Sequence, residues 1–274
     1  MKTILLSSIL LVSLLFALVS CTKNDAVTPA PKTFVLVHGA WQAPYAWQSV
    51  KDQLVQQGQN VVVVELPGHG ADNTAPATLS MDVYRDKVVG AINALSGNVI
   101  LVGHSMGGMV VSAVAEKIPS RIDKLVYVGA FLPANGQSLL ALASTDSTSQ
   151  LGPALIPSTD QLTLGIKTEN LTPIFIQDGS DAVKKQVVDN YRAEPFIPFT
   201  NPVTLTAANF GKVAKYYVYT AQDHAVSPNL QKRMVAAAGI KSTYTLNSSH
   251  CPFLSMPTEV TTLLQGIAKE TVVQ

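Results

Sequence analysis

From Thr33 onward, short runs of β-branched and other apolar residues alternate with longer stretches of helical periodicity. The runs TFVLV (33–37), NVVVVE (60–65), NVILVG (98–103) and KLVYVGA (124–130) are nearly continuous in apolar residues, the pattern of strands buried on both faces of a parallel sheet. Between them the periodicity predicts helices at about 45–57, 80–95 and 106–117, the last stopped by Pro119. Such alternation argues for βαβ units in a doubly wound sheet.

The alternation stops after Pro133. Residues 135–205 are rich in Ser, Thr, Pro and short apolar pieces, with a helix predicted near 181–193. It resumes with KVAKYYVYT (212–220) and KSTYTLN (241–247) as two further strands and helices near 227–237 and 257–269. The expected architecture is a six-stranded, mainly parallel α/β sheet with helices on both faces, its core formed by 33–134 and 206–274. Residues 135–205 are then a cap inserted after the fourth strand.

The N-terminus follows a different pattern. One lysine precedes an apolar run from Ile4 to Val19, which reads as a signal peptide over 1–20. A membrane-spanning helix needs about 20 apolar residues, and this run is shorter. The end, Leu18-Val19-Ser20-Cys21, resembles the lipobox of bacterial lipoproteins. That resemblance implies acylation of Cys21, an export route, and a lipid anchor in a bacterial cell envelope membrane, periplasmic or surface-facing. An ordinary cleaved signal with an incidental cysteine is the other reading. Residues 21–32 are polar and contain proline, suiting a tether.

Composition narrows the partners. Hydrophobic residues make up 47% of the 274, charged residues 14%, and the net charge is +1. No basic face is available to neutralise phosphates, so nucleic acid is not an expected partner. Cys251 is the only other cysteine and has no disulfide partner if Cys21 is acylated. No His or Cys cluster has metal-ligand spacing, so no metal is expected. Oligomeric state is left open, a homodimer being one option.

The most informative motif is Gly103-His104-Ser105-Met106-Gly107. A buried strand precedes it and a helix follows, placing Ser105 on a sharp strand-to-helix turn that exposes its hydroxyl above the sheet. A serine hydroxyl needs a base at neutral pH. Of the five histidines, His38, His69 and His104 lie in tight loops and read as loop-fixing residues, while His224 adjoins a candidate acid. With such a turn the triad runs in the order serine, acid, histidine, each at the carboxyl end of a strand. TAQDHAVSP after the fifth strand offers Asp223, and NSSHCPF after the sixth offers His250. Asp223 could also be an ordinary turn residue. Two backbone N–H groups are needed for the oxyanion, and Met106 and Ala40 are placed to supply them.

FVLVHGAW, LPGHGAD, LVGHSMGGMVVS, YVGAFLPANGQSL, YTAQDHAVSP and SSHCPFLSMP together resemble the α/β-hydrolase fold. More narrowly they are similar to the branch of plant methylesterases, hydroxynitrile lyases and bacterial esterases. The resemblance implies a cofactor-free serine esterase acting on a small, largely apolar ester, with a cap that sets substrate choice. Trp41, Phe131, Leu132 and Phe175 are the candidate substrate contacts. The apolar cap pieces PIFIQ (173–177) and EPFIPFT (194–200) either line the pocket or only seal the cap. Lyases of this branch carry threonine after the first-strand histidine and lysine after the catalytic histidine, where this chain has Gly39 and Cys251. That favours an esterase over a lyase, and a small-molecule receptor with little turnover is the third reading.

Overall fold

The computed structural model describes residues 30–271. The leader, Cys21 and most of the polar tether lie outside the described residues. In chain order the first half is β1 (Thr33–Val37), α1 (Gln48–Gln56), β2 (Asn60–Val64), α2 (Met81–Asn93), β3 (Val99–His104), α3 (Gly107–Lys117) and β4 (Ile122–Val128). A 3-10 turn over Pro44–Trp47 precedes α1, where the periodicity had predicted one continuous helix; Pro44 sits at the start of that turn.

Between β4 and the next core strand lie α4 (Leu139–Ala143), α5 (Leu151–Ala154), β5 (Leu155–Pro157), β6 (Thr163–Ile166), α6 (Thr168–Phe175), α7 (Asp181–Asp189), β7 (Glu194–Pro195) and α8 (Ile197–Thr200). β5, β6 and β7 form a small antiparallel sheet. The core then closes with β8 (Lys215–Thr220), α9 (Pro228–Ala238), β9 (Ser242–Leu246), α10 (Pro252–Ser255) and α11 (Pro257–Lys269). β8 begins later than its apolar run because Phe210–Lys212 form a 3-10 turn.

The main sheet has the order β2-β1-β3-β4-β8-β9, with every neighbouring pair parallel. Central β3 is buried along its whole length, whereas edge strand β9 alternates half-buried and exposed positions. That is why VILVG is continuously apolar and STYTL is not. Chain direction across the sheet reverses after β2, so right-handed crossovers put α1 on one face and α2 and α3 on the other. α3 is buried from Gly107 through Ala115, which explains a helix with no charge before Glu116.

Two registers position the site. β1 pairs with β3 with Val37 opposite Gly103, so the loop after β1 emerges beside Ser105. β8 pairs with β9 with Thr220 opposite Leu246, so the loops carrying Asp223 and His250 leave the sheet side by side. The first of these lies at the switch point of strand order, where open α/β sheets form their crevice.

Candidate active site

Ser105 occupies the turn between β3 and α3 with φ +52°. A left-handed conformation costs a non-glycine residue about 1–2 kcal/mol, and the packing around the turn imposes it. A Cβ on Gly103 would lie 2.7 Å from Gly107 O, and one on Gly107 would lie 2.8 Å from His38 O. The strand exit and the helix entry therefore touch backbone to backbone on both sides of the serine. Ser105 O accepts hydrogen bonds from Gly108 N and Phe131 N, each at 3.0 Å.

Asp223 and His250 are brought together by the β8 and β9 loops. His250 Nδ1 lies 2.8 Å from Asp223 Oδ2, with both side chains shielded from solvent. The carboxylate is surrounded by donors. Oδ1 accepts from Ala225 N at 2.8 Å and Val226 N at 2.9 Å. Oδ2 also accepts from Thr220 Oγ1 at 2.7 Å and Gln231 Nε2 at 3.2 Å. Since a carboxylate can only accept, His250 must donate from Nδ1, which leaves Nε2 bare in the neutral ring and able to take a proton.

His104 links the serine turn to the histidine loop. Its Nε2 donates to His250 O at 2.9 Å, and the two rings lie 4.4 Å apart. Burial, reinforced by the neighbouring His250, holds His104 well below the usual imidazole pKa, so it stays neutral. Among the described residues no hydrogen bond joins the Ser105 hydroxyl to His250. Nucleophile–base contacts of this kind commonly tighten only when substrate is bound.

The loop after β1 lies against the serine. A Cβ on Gly39 would sit 2.7 Å from His104 Nδ1 and 2.8 Å from Ser105 Cβ. His38 Nε2 accepts from Leu66 N at 3.3 Å, so its proton is on Nδ1 and goes to Gly39 O at 2.9 Å. Burial first, and His69 second, push the His38 pKa down to about 3. Among the described residues the N–H groups of Ala40 and Met106 have no acceptor. Buried N–H groups are rarely left unpaired, and the N-terminus of α3 adds its partial positive charge beside Met106.

Trp41 and Phe175 form an apolar wall near His250, with ring centroids 5.8 Å apart and Phe175 5.6 Å from the imidazole. Phe131 reaches the turn through its main chain. Leu132 lines a separate cleft of about 460 Å³, together with Leu205, Phe210, Arg233 and Met234, which none of Ser105, Asp223 and His250 borders.

Sequence reasoning did not single out the cap contacts. Gln177 Nε2 donates to Gln222 O at 2.6 Å, Asp178 Oδ2 accepts from Ser249 N at 2.9 Å, and His224 Nδ1 meets Pro173 O at 2.8 Å. The end of α6 thus grips the loops of both Asp223 and His250. Glu194 was also missed: it opens the otherwise apolar cap piece EPFIPFT, where a carboxylate stands out but nothing beside it in the chain shows what it binds.

Residues 34–263 match the alpha/beta hydrolase family. The chain belongs to that family. It is 31% identical over 192 residues to the carbendazim hydrolyzing esterase of Nocardioides sp., covering 69% of this chain and 79% of that protein. It is 27% identical over 257 residues to methylesterase 7 of Arabidopsis thaliana, covering 86% and 96%. Among solved structures, polyneuridine aldehyde esterase superposes with a TM-score of 0.79 at 20% identity, covering 87% of this chain and 100% of that one. A pyrethroid hydrolase from Sphingobium faniae gives 0.77 at 22%, covering 86% and 97%; at such identities the likeness is one of fold. The two sequence relatives are esterases by name, and this α/β hydrolase is of the same carboxylesterase type.

Proposed function

We propose that this α/β hydrolase cleaves a small, largely apolar carboxylic ester through an acyl-enzyme on Ser105. His250 Nε2 takes the Ser105 proton as Oγ attacks the carbonyl carbon, and Asp223 holds the ring in the required tautomer. The tetrahedral oxyanion is received by the N–H groups of Ala40 and Met106. Collapse expels the alcohol with the proton from His250, and water then releases the acid by the same steps in reverse. The observation that carries this reading is the buried Asp223–His250 pair at 2.8 Å on the loops beside a left-handed Ser105.

The apolar wall of Trp41 and Phe175 supports an apolar acyl or alcohol group, as does a relative whose name places it on methyl esters. A lyase-type threonine at Gly39 has no room, since its Cβ alone would approach His104 Nδ1 to 2.7 Å. At Cys251 a lysine would bury its ammonium where the thiol now accepts from Gln42 Nε2 at 2.8 Å. Turnover of p-nitrophenyl butyrate, with none in Ser105→Ala, is the expected result. Unchanged turnover in that variant would remove the mechanism, and cyanide release from mandelonitrile above background would favour the lyase.

The leader supports a second proposal, that the enzyme is exported and held on a membrane by lipid on Cys21. Cys21→Ser should move it from the membrane fraction to the soluble fraction. Retention in the membrane would count against the anchor.

A further inference from the structure

Glu194 opens β7 of the cap sheet and is completely buried. Its Oε2 accepts two hydrogen bonds from the core: the main-chain N–H of Trp41 at 2.8 Å and His69 Nε2 at 2.9 Å. The other ring nitrogen of His69 faces Pro67 O at 3.1 Å. Two acceptors on opposite sides require two ring protons, so His69 is the cation that balances the carboxylate. Burial alone would discharge this ring, but the charge and hydrogen bond of Glu194 outweigh it and raise the His69 pKa. Tyr84 and His38 pack against the imidazole at 5.6 and 4.9 Å, and Arg192 binds Gly70 O and Asp72 O on the same loop.

Trp41 is held from a second direction. Its indole Nε1 donates to Leu164 O of β6 at 2.8 Å, and its φ is +57°. A left-handed conformation is unusual for a bulky residue and persists only where the surroundings enforce it. Both N–H groups of Trp41 are thus committed to the cap sheet, while the N–H of Ala40, one residue earlier, remains free and lies in the loop packed on Ser105. The Ala40 N–H lies in the adjoining Gly39–Ala40 peptide plane, separated from the fixed Ala40–Trp41 plane only by the φ and ψ of Ala40, so anchoring Trp41 narrows the directions in which that N–H can point.

We propose that Glu194, charge-balanced by His69, is a positioning residue for ester hydrolysis, holding Trp41 so that the Ala40 N–H is aimed at the oxyanion. The cap then contributes to stabilising the transition state as well as to covering the site. This proposal rests on the reading of Ser105 as nucleophile and Ala40 as oxyanion donor.

The test compares Glu194→Met, which keeps volume and removes the acceptor, with Glu194→Gln, which keeps an acceptor for Trp41 and removes the charge. Hydrolysis of p-nitrophenyl butyrate is measured together with binding of an aryl trifluoromethyl ketone, which forms the oxyanion on the serine, and of the matching methyl ketone. Losing one oxyanion donor outright costs about 10²–10³ in kcat, so a misaimed one should cost roughly 10- to 100-fold. For Glu194→Met the account expects that loss in kcat, a KM within about twofold, and a matching loss of trifluoromethyl ketone affinity with methyl ketone binding unchanged. Glu194→Gln should recover most of the rate.

Full activity in Glu194→Met would overturn the proposal. So would equal weakening of both ketones, or failure of Gln to restore the rate, since either marks a merely structural role. If Glu194→Met does not fold, Trp41→Phe removes the indole hydrogen bond along with part of the apolar wall, so it is read by the pair of ketones: trifluoromethyl ketone affinity should fall by about threefold or more beyond any change in methyl ketone affinity, and an equal change in both would overturn the proposal. Ser105→Ala separates the two levels, because activity surviving there would refute the nucleophile itself, whatever Glu194 does.

Discussion

Replacing Asp223 by asparagine should silence the enzyme through the tautomer of His250 while leaving the fold in place. The carboxylate accepts from five donors: Ala225 N and Val226 N on Oδ1, and His250 Nδ1, Thr220 Oγ1 and Gln231 Nε2 on Oδ2. An asparagine must put its NH2 on one side or the other. Toward Oδ1 it would oppose two main-chain N–H groups that cannot turn away, and each buried unpaired donor costs about 1–3 kcal/mol, roughly 2–6 together. Toward Oδ2 the cost is smaller, because the Thr220 hydroxyl can rotate and Gln231 Nε2 keeps Val226 O at 2.7 Å. His250 then adapts by carrying its proton on Nε2 and accepting on Nδ1. That tautomer presents a donor where the serine proton has to go, and the corresponding change in a serine protease lowers kcat by about 10⁴, close to 5.5 kcal/mol of barrier. Steady-state hydrolysis of p-nitrophenyl butyrate measures the loss, and ¹⁵N imidazole shifts report which nitrogen is protonated. Activity within tenfold of the parent would refute this reasoning, as would a dead variant whose His250 keeps its proton on Nδ1.

Other consequences concern strain and buried charge. Ser105→Gly should abolish hydrolysis yet raise stability by roughly 0.5–1 kcal/mol in urea titrations, because relief of the left-handed strain exceeds the extra entropy of glycine in the unfolded chain; a less stable variant would contradict the strain. His38 is held neutral down to about pH 3 whereas the unfolded chain protonates it near 6.5, so its contribution makes stability fall as pH drops below about 6.5. Between pH 7 and 5 that loss is about 2 kcal/mol. His104 acts in the same direction, and His69, whose pKa is raised, acts in the opposite one. His38→Gln should therefore remove about 2 kcal/mol of the acid-induced loss, and an unchanged pH slope would show that the ring is protonated in the folded enzyme.

The main sheet and the serine turn were legible because they depend on local pattern. β3 is covered on both faces, so its run VILVG has to be apolar, and the backbone contacts of Gly103 and Gly107 leave a recognisable glycine on each side of Ser105. Asp223 and His250 were legible through topology, since adjacent strands β8 and β9 deliver their loops to one place. The cap sheet was not. Its strands are two to four residues long, too short for a period to show. Glu194 was illegible for a related reason: its meaning comes from Trp41 and His69, 153 and 125 positions away, and nothing adjacent to it in the chain points to either.

The most direct measurement of the central claim is to trap the acyl-enzyme. The enzyme is mixed with p-nitrophenyl butyrate, quenched in acid within the first turnover, digested and read by mass spectrometry. The account predicts a butyryl group on the peptide carrying Ser105, absent in Ser105→Ala and accumulating more slowly in Asp223→Asn. A butyryl group on another residue, or product formed at the full rate by Ser105→Ala, would contradict it.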